Sequence, residues 1–251
     1  MATTNNKLAI IESFSALDND PQRMIELLEE TLGGVTISAG DLTRIKFPSG
    51  GSTIWEIPTA RGIIPTTNLD VVMVYTRVQR AYWEPTDDRT KSKTPDCWAD
   101  DAKHGTHPQM QDDEGHTVFG ECDDCWFAEF GSAVGPDGNP RSGQACKLVR
   151  PVYFLSELNR IPMWIAFPPT SLKPFRQYLL DLVSEGISYT EVVTRLALEK
   201  TLNTRGDPYA VIKPQIIGDL SDQLKDRARQ AATWIKPQLS KIRAAQTVAD
   251  D

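Results

Sequence analysis

All four cysteines of this 251-residue chain lie within one polar stretch, residues 97–146. They are Cys97, Cys122, Cys125 and Cys146, and their spacing is C-x24-C-x2-C-x20-C. Cys122 and Cys125 form a close pair, because two thiolates separated by two residues at a turn can bind a metal ion from the same side. Four thiolates complete a tetrahedron and leave no position for water, which is typical of a structural site. The spacing therefore predicts a structural Zn²⁺ site with these four cysteines as ligands.

Two other interpretations of these residues stay open. In the first, the cysteines are unrelated core residues, but the polar and acidic surroundings of Cys97 and Cys122 disfavour this. In the second, a histidine replaces one thiolate, since the three histidines, His104, His107 and His116, lie in the same stretch. His104 and His107 are close enough in sequence to do so on a turn.

The segment around the cysteines, residues 84–146, has no clear helical or strand periodicity and is strongly acidic. Residues 84–125 hold twelve acidic and four basic side chains, whereas the rest of the chain has a net charge of +1. A loop of this length needs something to hold it together, and metal binding supplies folding free energy to a segment with few apolar residues. We therefore predict a zinc-binding insertion at 84–146.

The composition is that of an ordinary globular protein and predicts a cytoplasmic location without membrane contact. No stretch reaches the roughly 18 to 20 apolar residues that cross a bilayer. The N-terminal residues lack the basic start and long apolar centre of a signal peptide. In a reducing cytoplasm, thiolate ligands explain four cysteines better than two disulfides do.

Outside the insertion, the apolar periodicity predicts strands and helices in a definite order. Alternation with period two predicts strands at 42–47, 53–57, 69–83, 147–157, 163–167, 190–200 and 209–217. Helices are predicted at 20–32, at 171–186 with Ser171 as N-cap, and at 220–246 with a kink at Pro237. A helix between the third and fourth strands of a five-stranded barrel is the arrangement of an OB-fold.

The predicted fold is therefore β-rich α+β: an OB-like five-stranded barrel with a zinc-binding insertion and flanking helices. The predicted domains are an N-terminal helical arm at 1–40, an OB-like domain at 41–218 that contains the insertion, and a C-terminal helix with a short acidic tip at 219–251.

The predicted strand at 69–83 has a face that suits nucleic acid, because it carries Tyr75, Arg77 and Trp83 at alternating positions. Aromatic rings on an open sheet can stack on bases while guanidinium groups contact phosphates. The alternative is that these amphipathic residues line the edge of a core or a subunit contact. Including residues on neighbouring strands, the predicted nucleic-acid contacts are Arg44, Lys46, Trp55, Tyr75, Arg77, Arg80, Tyr82, Trp83, Lys147, Arg150 and Tyr153.

An enzyme would need an open metal position with a general base, or a nucleophile beside a histidine. The insertion contains histidines and carboxylates, but the chain has no H-E-x-x-H motif, no phosphate-binding glycine loop and no G-x-S-x-G motif. We therefore predict no catalytic residues and a non-enzymatic protein.

Residues 120–132 have the sequence GECDDCWFAEFGS, and GQACK at 143–147 precedes an apolar strand. This pattern resembles a family of phage and prophage proteins that carry C-x2-C, an aromatic residue, Gly-Ser, and then G-x-A-C-K before an apolar strand. The likeness covers roughly residues 95–200, and the four cysteines match the metal-ligand positions of the family. The resemblance implies an OB-fold protein that binds single-stranded DNA in phage replication or recombination. It also implies that replication or recombination proteins are its partners, and that it acts in the cytoplasm of a bacterial host.

The sequence thus predicts non-catalytic binding of single-stranded nucleic acid, DNA in particular, by stacking and phosphate contacts that weaken strongly with salt. One alternative is a zinc-stabilised protein-interaction module of a nucleoprotein or virion assembly. A less favoured alternative is a metal-dependent nuclease.

Overall fold

The computed structural model describes residues 9–17, 21–34, 41–84, 95–135, 138–203 and 206–239. These residues form three α-helices, α1 (Pro21–Thr31), α2 (Pro169–Ser184) and α3 (Asp222–Leu239). The strands are β1 (Ile10–Ile11), β2 (Trp55–Thr59), β3 (Gly62–Thr66), β4 (Asn68–Thr76), β5 (Gln79–Tyr82), β6 (Cys97–Ala99), β7 (Met110–Gln111), β8 (Thr117–Val118), β9 (Ala133–Val134), β10 (Pro140–Arg141), β11 (Lys147–Ser156), β12 (Asn159–Phe167), β13 (Val192–Leu202) and β14 (Pro208–Leu220). The protein is β-rich α+β, as predicted.

Some predicted features fall outside the described residues. These are much of the N-terminal arm, residues 85–94 and 136–137 of the insertion, and the acidic tip at 249–251. Within the described residues, no helix combines the length and the apolar character needed to cross a bilayer.

The chain divides into two compact units. The first is built from Met1–Thr76, Val152–Ile165 and Thr170–Ile242, and the second mainly from Arg77–Pro151. Strand β11 belongs to both, because its first half lies in the second unit and its second half in the first. The segment that carries the cysteines lies in the second unit.

The first unit contains a mixed sheet with the strand order β1, β14, β13, β4, β11, β12. Strand β4 pairs antiparallel with β13, where Leu69 lies opposite Leu196, and with β11, where Tyr75 lies opposite Tyr153. Strand β1 pairs parallel with β14. Among the described residues, β12 and β14 do not pair, so the sheet does not close into a barrel at these strands.

Strand β4 lies in the core of the first unit because its apolar residues are consecutive. Leu69 and all of residues 71–74 are buried, so both faces of the strand are covered. The fully buried Trp55 of β2 donates a hydrogen bond from Nε1 to the Leu196 carbonyl oxygen at 2.8 Å. The single polar atom of this indole is thereby satisfied inside the core.

Helices α1 and α2 begin and end close to the predicted positions, and α3 begins close to its predicted start. Residues 240–246 of the predicted third helix lie outside the described residues. Helix α2 begins at Pro169, whose missing N–H is tolerated in the first turn, and Gly186 follows its end with a φ of 72°. The N-cap prediction for Ser171 is wrong, because this residue lies inside α2 and is fully buried. Its hydroxyl instead accepts a hydrogen bond from the Ile212 N–H at 3.2 Å.

Two strand predictions also differ from the structure, and one strand was missed. Residues 42–47 form no strand; Arg44 makes only an isolated bridge to Trp164. The predicted strand at 69–83 is two strands, β4 and β5, interrupted at residues 77–78. Strand β3, which pairs with β2, was not predicted at all. The alternation of side chains continues across 77–78, so periodicity alone does not reveal the interruption.

Candidate functional site

Two of the four cysteines flank strand β5 of the second unit: Cys97 lies on β6, and Cys146 directly precedes β11. Strand β5 lies between β11 and β6, and Tyr82 of β5 pairs with Cys97 of β6. The register of β5 and β11 brings Cys146, the residue before β11, level with Tyr82. Tyr82, Cys97 and Cys146 form one buried cluster. Arg80 precedes Tyr82 by two residues and therefore lies on the same face of β5.

The other two cysteines lie on a tight turn that follows Gly120. Phe119 and Gly120 have positive φ angles of 63° and 67°, and the Phe119 N–H donates a hydrogen bond to Cys125 Sγ at 3.2 Å. The Cys122 N–H donates to the Lys103 carbonyl oxygen at 2.7 Å, which fixes the turn to the preceding loop. This arrangement presents both sulfur atoms from one turn, as the C-x2-C spacing predicts.

All four cysteines line a single small cavity of the second unit. The cavity has a volume of about 10 Å³, which is about the space that one water molecule needs. Each cysteine is buried, and none forms a disulfide. Apart from the cysteines, the wall consists mainly of aromatic and small residues, together with Arg80. Four thiol groups are a donor set that suits one soft metal ion.

The sulfur atoms are spread more widely than in a metal complex. No three of them lie within 4.8 Å of one another among the described residues. A tetrahedral Zn²⁺ ion with Zn–S bonds of about 2.3 Å needs sulfur atoms about 3.8 Å apart. Ion binding at this position therefore requires the four thiol side chains to move inward.

Burial controls the ionisation of two of these thiols. It raises the pKa of Cys122 to about 11 and the pKa of Cys146 to about 12. The positive charge of Arg80 acts in the opposite direction on both thiols. Burial and the nearby carboxylates of Glu84 and Asp96 likewise raise the pKa of Tyr82 to about 12.

The three histidines have other partners, and none lines the cavity. His104 Nδ1 lies 2.5 Å from the Asp101 carboxylate, an interaction that raises the pKa of His104 and lowers that of Asp101. The ring of His107 packs against Phe119, with their centroids 5.2 Å apart. A histidine ligand in place of a cysteine therefore has no support from the geometry of the cavity.

A second group of polar side chains lies on the β7–β8 hairpin. The ligand atoms of Asp112, Glu114 and His116 lie within 4.8 Å of one another, and the ring of His116 stacks on Trp126 at 4.5 Å. The Asp112 carboxylate bonds to the backbone and the ring of His116, which lowers the pKa of Asp112. These contacts account for the conformation of the turn without a bound ion.

The first unit contains an open cleft with a volume of about 520 Å³. The end of β4 supplies Tyr75, the loop before β13 supplies Tyr189, and one face of α3 supplies Arg229 and Lys236. Arg229 is held by Glu191 through a contact of 2.6 Å and by Asp226 at 2.9 Å. The cleft thus combines two aromatic rings and two cations with threonine hydroxyl groups at 76, 190 and 233.

Three predicted stacking residues belong to the core instead. Trp55, Tyr82 and Tyr153 are between 0% and 6% exposed, so a base cannot reach their ring faces in this conformation. The ring of Tyr82 is already stacked on Phe127, with the centroids 4.2 Å apart. For these three residues the prediction is corrected to packing. Tyr75 and Trp83 are partly exposed, and Tyr75 is the only one of the eleven predicted contacts that lines the cleft.

The predicted phosphate contacts are scattered among different environments. Arg77 forms an ion pair with Asp100 at 3.0 Å, and Arg80 lines the cysteine cavity. The guanidinium carbon of Arg44 lies 5.5 Å from the centroid of the Trp164 ring. Arg150 is partly buried, whereas Lys46 and Lys147 are exposed. The structure does not gather these six residues into one patch within either unit.

Tyr189, Arg229 and Lys236 line the cleft but were not among the predicted contacts. The spacing of Arg229, Thr233 and Lys236 on the terminal helix could have indicated one polar face. It could not have indicated which residues that face contacts, because this depends on the packing of α3.

Comparisons with protein-family models, with curated proteins and with solved structures gave no match to this chain.

Proposed function

We propose that this protein binds single-stranded nucleic acid, DNA in particular, without catalysis, and that the cleft of the first unit is its binding site. The observation that carries the proposal is the presence of Tyr75 and Tyr189 beside Arg229 and Lys236 in one open cleft. Stacking on aromatic residues together with cationic phosphate contacts is the usual chemistry of sequence-tolerant strand binding.

The dimensions and charge of the cleft support this proposal. Its volume of about 520 Å³ lies within the range of about 300 to 1,000 Å³ that is typical of ligand pockets. The net charge of the chain is −7, so a strand must be attracted by a local positive region. Lys236 is exposed on α3, and Arg229 can exchange its carboxylate partners for a phosphate group.

The proposal includes an OB-like barrel in the first unit. Its five long strands follow the chain as β4, β11, β12, β13 and β14, and α2 lies between the third and the fourth. Strand β4 pairs with β11 and β13, which then pair with β12 and β14 respectively. This order agrees with a five-stranded Greek-key barrel that is partly open.

The proposal also includes a structural Zn²⁺ ion bound by Cys97, Cys122, Cys125 and Cys146. Support comes from the cavity that all four residues share. Four thiolate ligands leave no open coordination position, so the ion would stabilise the second unit without taking part in a reaction.

Two further hypotheses come from the sequence resemblance alone. They are that the protein belongs to the phage family, and that replication or recombination proteins are its partners.

The binding proposal can be tested by fluorescence anisotropy with a labelled oligothymidylate at two salt concentrations. We expect affinity to fall steeply with salt for the native chain, and to fall at low salt in Lys236→Gln and Tyr75→Leu. Removing one stacking ring costs about 1 to 3 kcal/mol of binding free energy. Lys173→Gln is the matched control, since Lys173 is an exposed lysine on α2 outside the cleft.

Two results would contradict the proposal. One is the absence of oligonucleotide binding at low salt. The other is equal binding by the control, Lys236→Gln and Tyr75→Leu variants, which would place the strand elsewhere. Cleavage of the oligonucleotide in the presence of Mg²⁺ or Mn²⁺ would favour the nuclease alternative, with Asp112, Glu114 and His116 as the first residues to substitute.

A further inference from the structure

Arg80 occupies an unusual place for a residue predicted to contact phosphate. It lies in β5 on the face that carries Tyr82, and it lines the cavity that the four cysteines share. It is the one cationic residue among those that line this cavity. Its neighbours on the sequence, Gln79 and Ala81, are buried, so β5 is held firmly in the second unit.

The Arg80 guanidinium has an unused donor in a buried position. Its Nη1 atom is buried and donates no hydrogen bond to any residue that the structure describes. A buried N–H group without a partner is unfavourable, and it is rare in folded proteins unless a ligand or an ion complex completes the site. The four cysteine sulfur atoms, which can accept hydrogen bonds, line the same cavity as Arg80.

Charge gives the guanidinium a specific role at this position. Four thiolates and one divalent cation carry a net charge of −2, and burying a net charge is costly unless an opposite charge lies beside it. The surrounding loop adds further negative charge through Asp101, Glu121, Asp123 and Asp124. A cation that lines the cavity offsets this charge, and its N–H groups can donate hydrogen bonds to thiolate sulfur.

We propose that Arg80 is a positioning residue of the cysteine site, which stabilises the complex of four thiolates with a divalent metal ion by charge and by N–H···S hydrogen bonds. This inference rests on the zinc site that is part of the proposed function. It removes Arg80 from the set of nucleic-acid contacts. A guanidinium with this role is part of the metal centre although it is not a ligand.

The test measures the Zn²⁺ affinity of the full-length chain by competition with a chromophoric chelator. Substitution of groups that support metal ligands usually lowers affinity about 10- to 100-fold, and we expect a loss of that size in Arg80→Met. Arg80→Gln is a second neutral variant and carries the same test if the Met variant does not fold. Arg80→Lys keeps the charge and is expected to recover part of the affinity.

Lys147→Met is the matched control, because it removes one positive charge next to Cys146 from an exposed side chain. Its Zn²⁺ affinity is expected to stay close to that of the native chain. The absorption of the Co²⁺-loaded protein provides a second readout, since sulfur-to-cobalt charge transfer reports how many thiolates bind the ion. We expect Arg80→Met to bind Co²⁺ more weakly while the spectrum at saturation still indicates four thiolates.

Native Zn²⁺ affinity in both neutral variants would overturn the inference. Loss of oligonucleotide binding in Arg80→Met with unchanged Zn²⁺ affinity would also overturn it and return Arg80 to the nucleic-acid surface. If the native chain binds no Zn²⁺ but still binds oligonucleotide, the metal site and the role of Arg80 both fail while strand binding stands. If the native chain binds Zn²⁺ but no oligonucleotide, the proposal of strand binding fails. The Zn²⁺ affinities of the Arg80 variants then still decide whether Arg80 supports the metal site.

Discussion

At the scale of single residues, a buried pair of hydroxyl groups links α2 to the sheet of the first unit. Tyr178 Oη lies 2.7 Å from Thr194 Oγ1, and Thr194 is fully buried. Burial raises the pKa of Tyr178 to about 12, so its hydroxyl stays protonated throughout the physiological range. Each hydroxyl depends on the other, because water has little access to either group.

We expect Tyr178→Phe to lower the free energy of unfolding by about 1 to 3 kcal/mol, since it leaves the Thr194 hydroxyl buried without its partner. Thr194→Val should have a comparable effect. The double variant should lose less stability than the two single losses added together, as urea unfolding of all four proteins would measure. Simple additivity would show that the two hydroxyl groups do not interact.

At the residue level, the spacing of the cysteines predicted which of them come together, whereas their role as zinc ligands stays a prediction. The four cysteines were expected to come together, and they line one cavity. The roles of Arg80 and Trp55 could not be predicted, because an arginine or a tryptophan on an alternating strand suits both a surface and an interior. Only the pairing of β5 with β6, and the hydrogen bond from Trp55 to Leu196, distinguish these possibilities.

At the scale of secondary-structure elements, an ion pair connects α3 to the start of β13. Arg229 Nη2 lies 2.6 Å from Glu191 Oε1, and this hydrogen bond lowers the pKa of Glu191. A carboxylate with a lowered pKa stabilises the folded state above its unfolded pKa of about 4.3. That contribution is lost as the pH falls through the lower, folded pKa.

We therefore expect Glu191→Gln to be less stable than the native chain at pH 7, with a difference that disappears in acid below the folded pKa of Glu191. Urea unfolding midpoints measured between pH 7 and pH 3 provide the test. Glu185→Gln, which changes an exposed carboxylate directly after α2, is the control. A difference between Glu191→Gln and the native chain that does not change with pH would contradict the role of the ion pair.

Elements were predictable to the extent that their signals are local. Helix α1 and the end of α2 followed from a proline in the first turn and glycines after the last. The interruption between β4 and β5 was not predictable, because it reflects how successive parts of the chain pair with the two halves of β11. Ser171 was misassigned for the same reason, since its hydroxyl serves a strand 41 residues away.

At the scale of the whole molecule, the two compact units differ in what stabilises them. The first has long strands and a large apolar core, whereas the second has short strands around a small cavity. Short strands with little apolar surface contribute little stability on their own. A bound metal ion would therefore matter far more to the second unit than to the first.

We expect removal of Zn²⁺ by a chelator, or the substitution Cys122→Ser, to unfold the second unit while the first unit keeps its fold. Hydrogen exchange followed by peptide mass analysis would show loss of protection in residues 95–146 and retained protection in β4, β13 and β14. Ser221→Ala, outside the second unit, is a control for a single change of a small polar residue. Unchanged protection of residues 95–146 after metal removal would contradict a structural role for the ion.

The sequence by itself determined the β-rich class, the helix positions and the set of four cysteines, because periodicity, helix-ending residues and ligand spacing are local properties of a chain. The tertiary structure alone decided which aromatic residues are buried, that Arg80 lines the cysteine cavity, and that Tyr75 shares a cleft with Tyr189, Arg229 and Lys236. These outcomes depend on strand register and on the face that α3 presents, and both are set by contacts between residues far apart in the sequence.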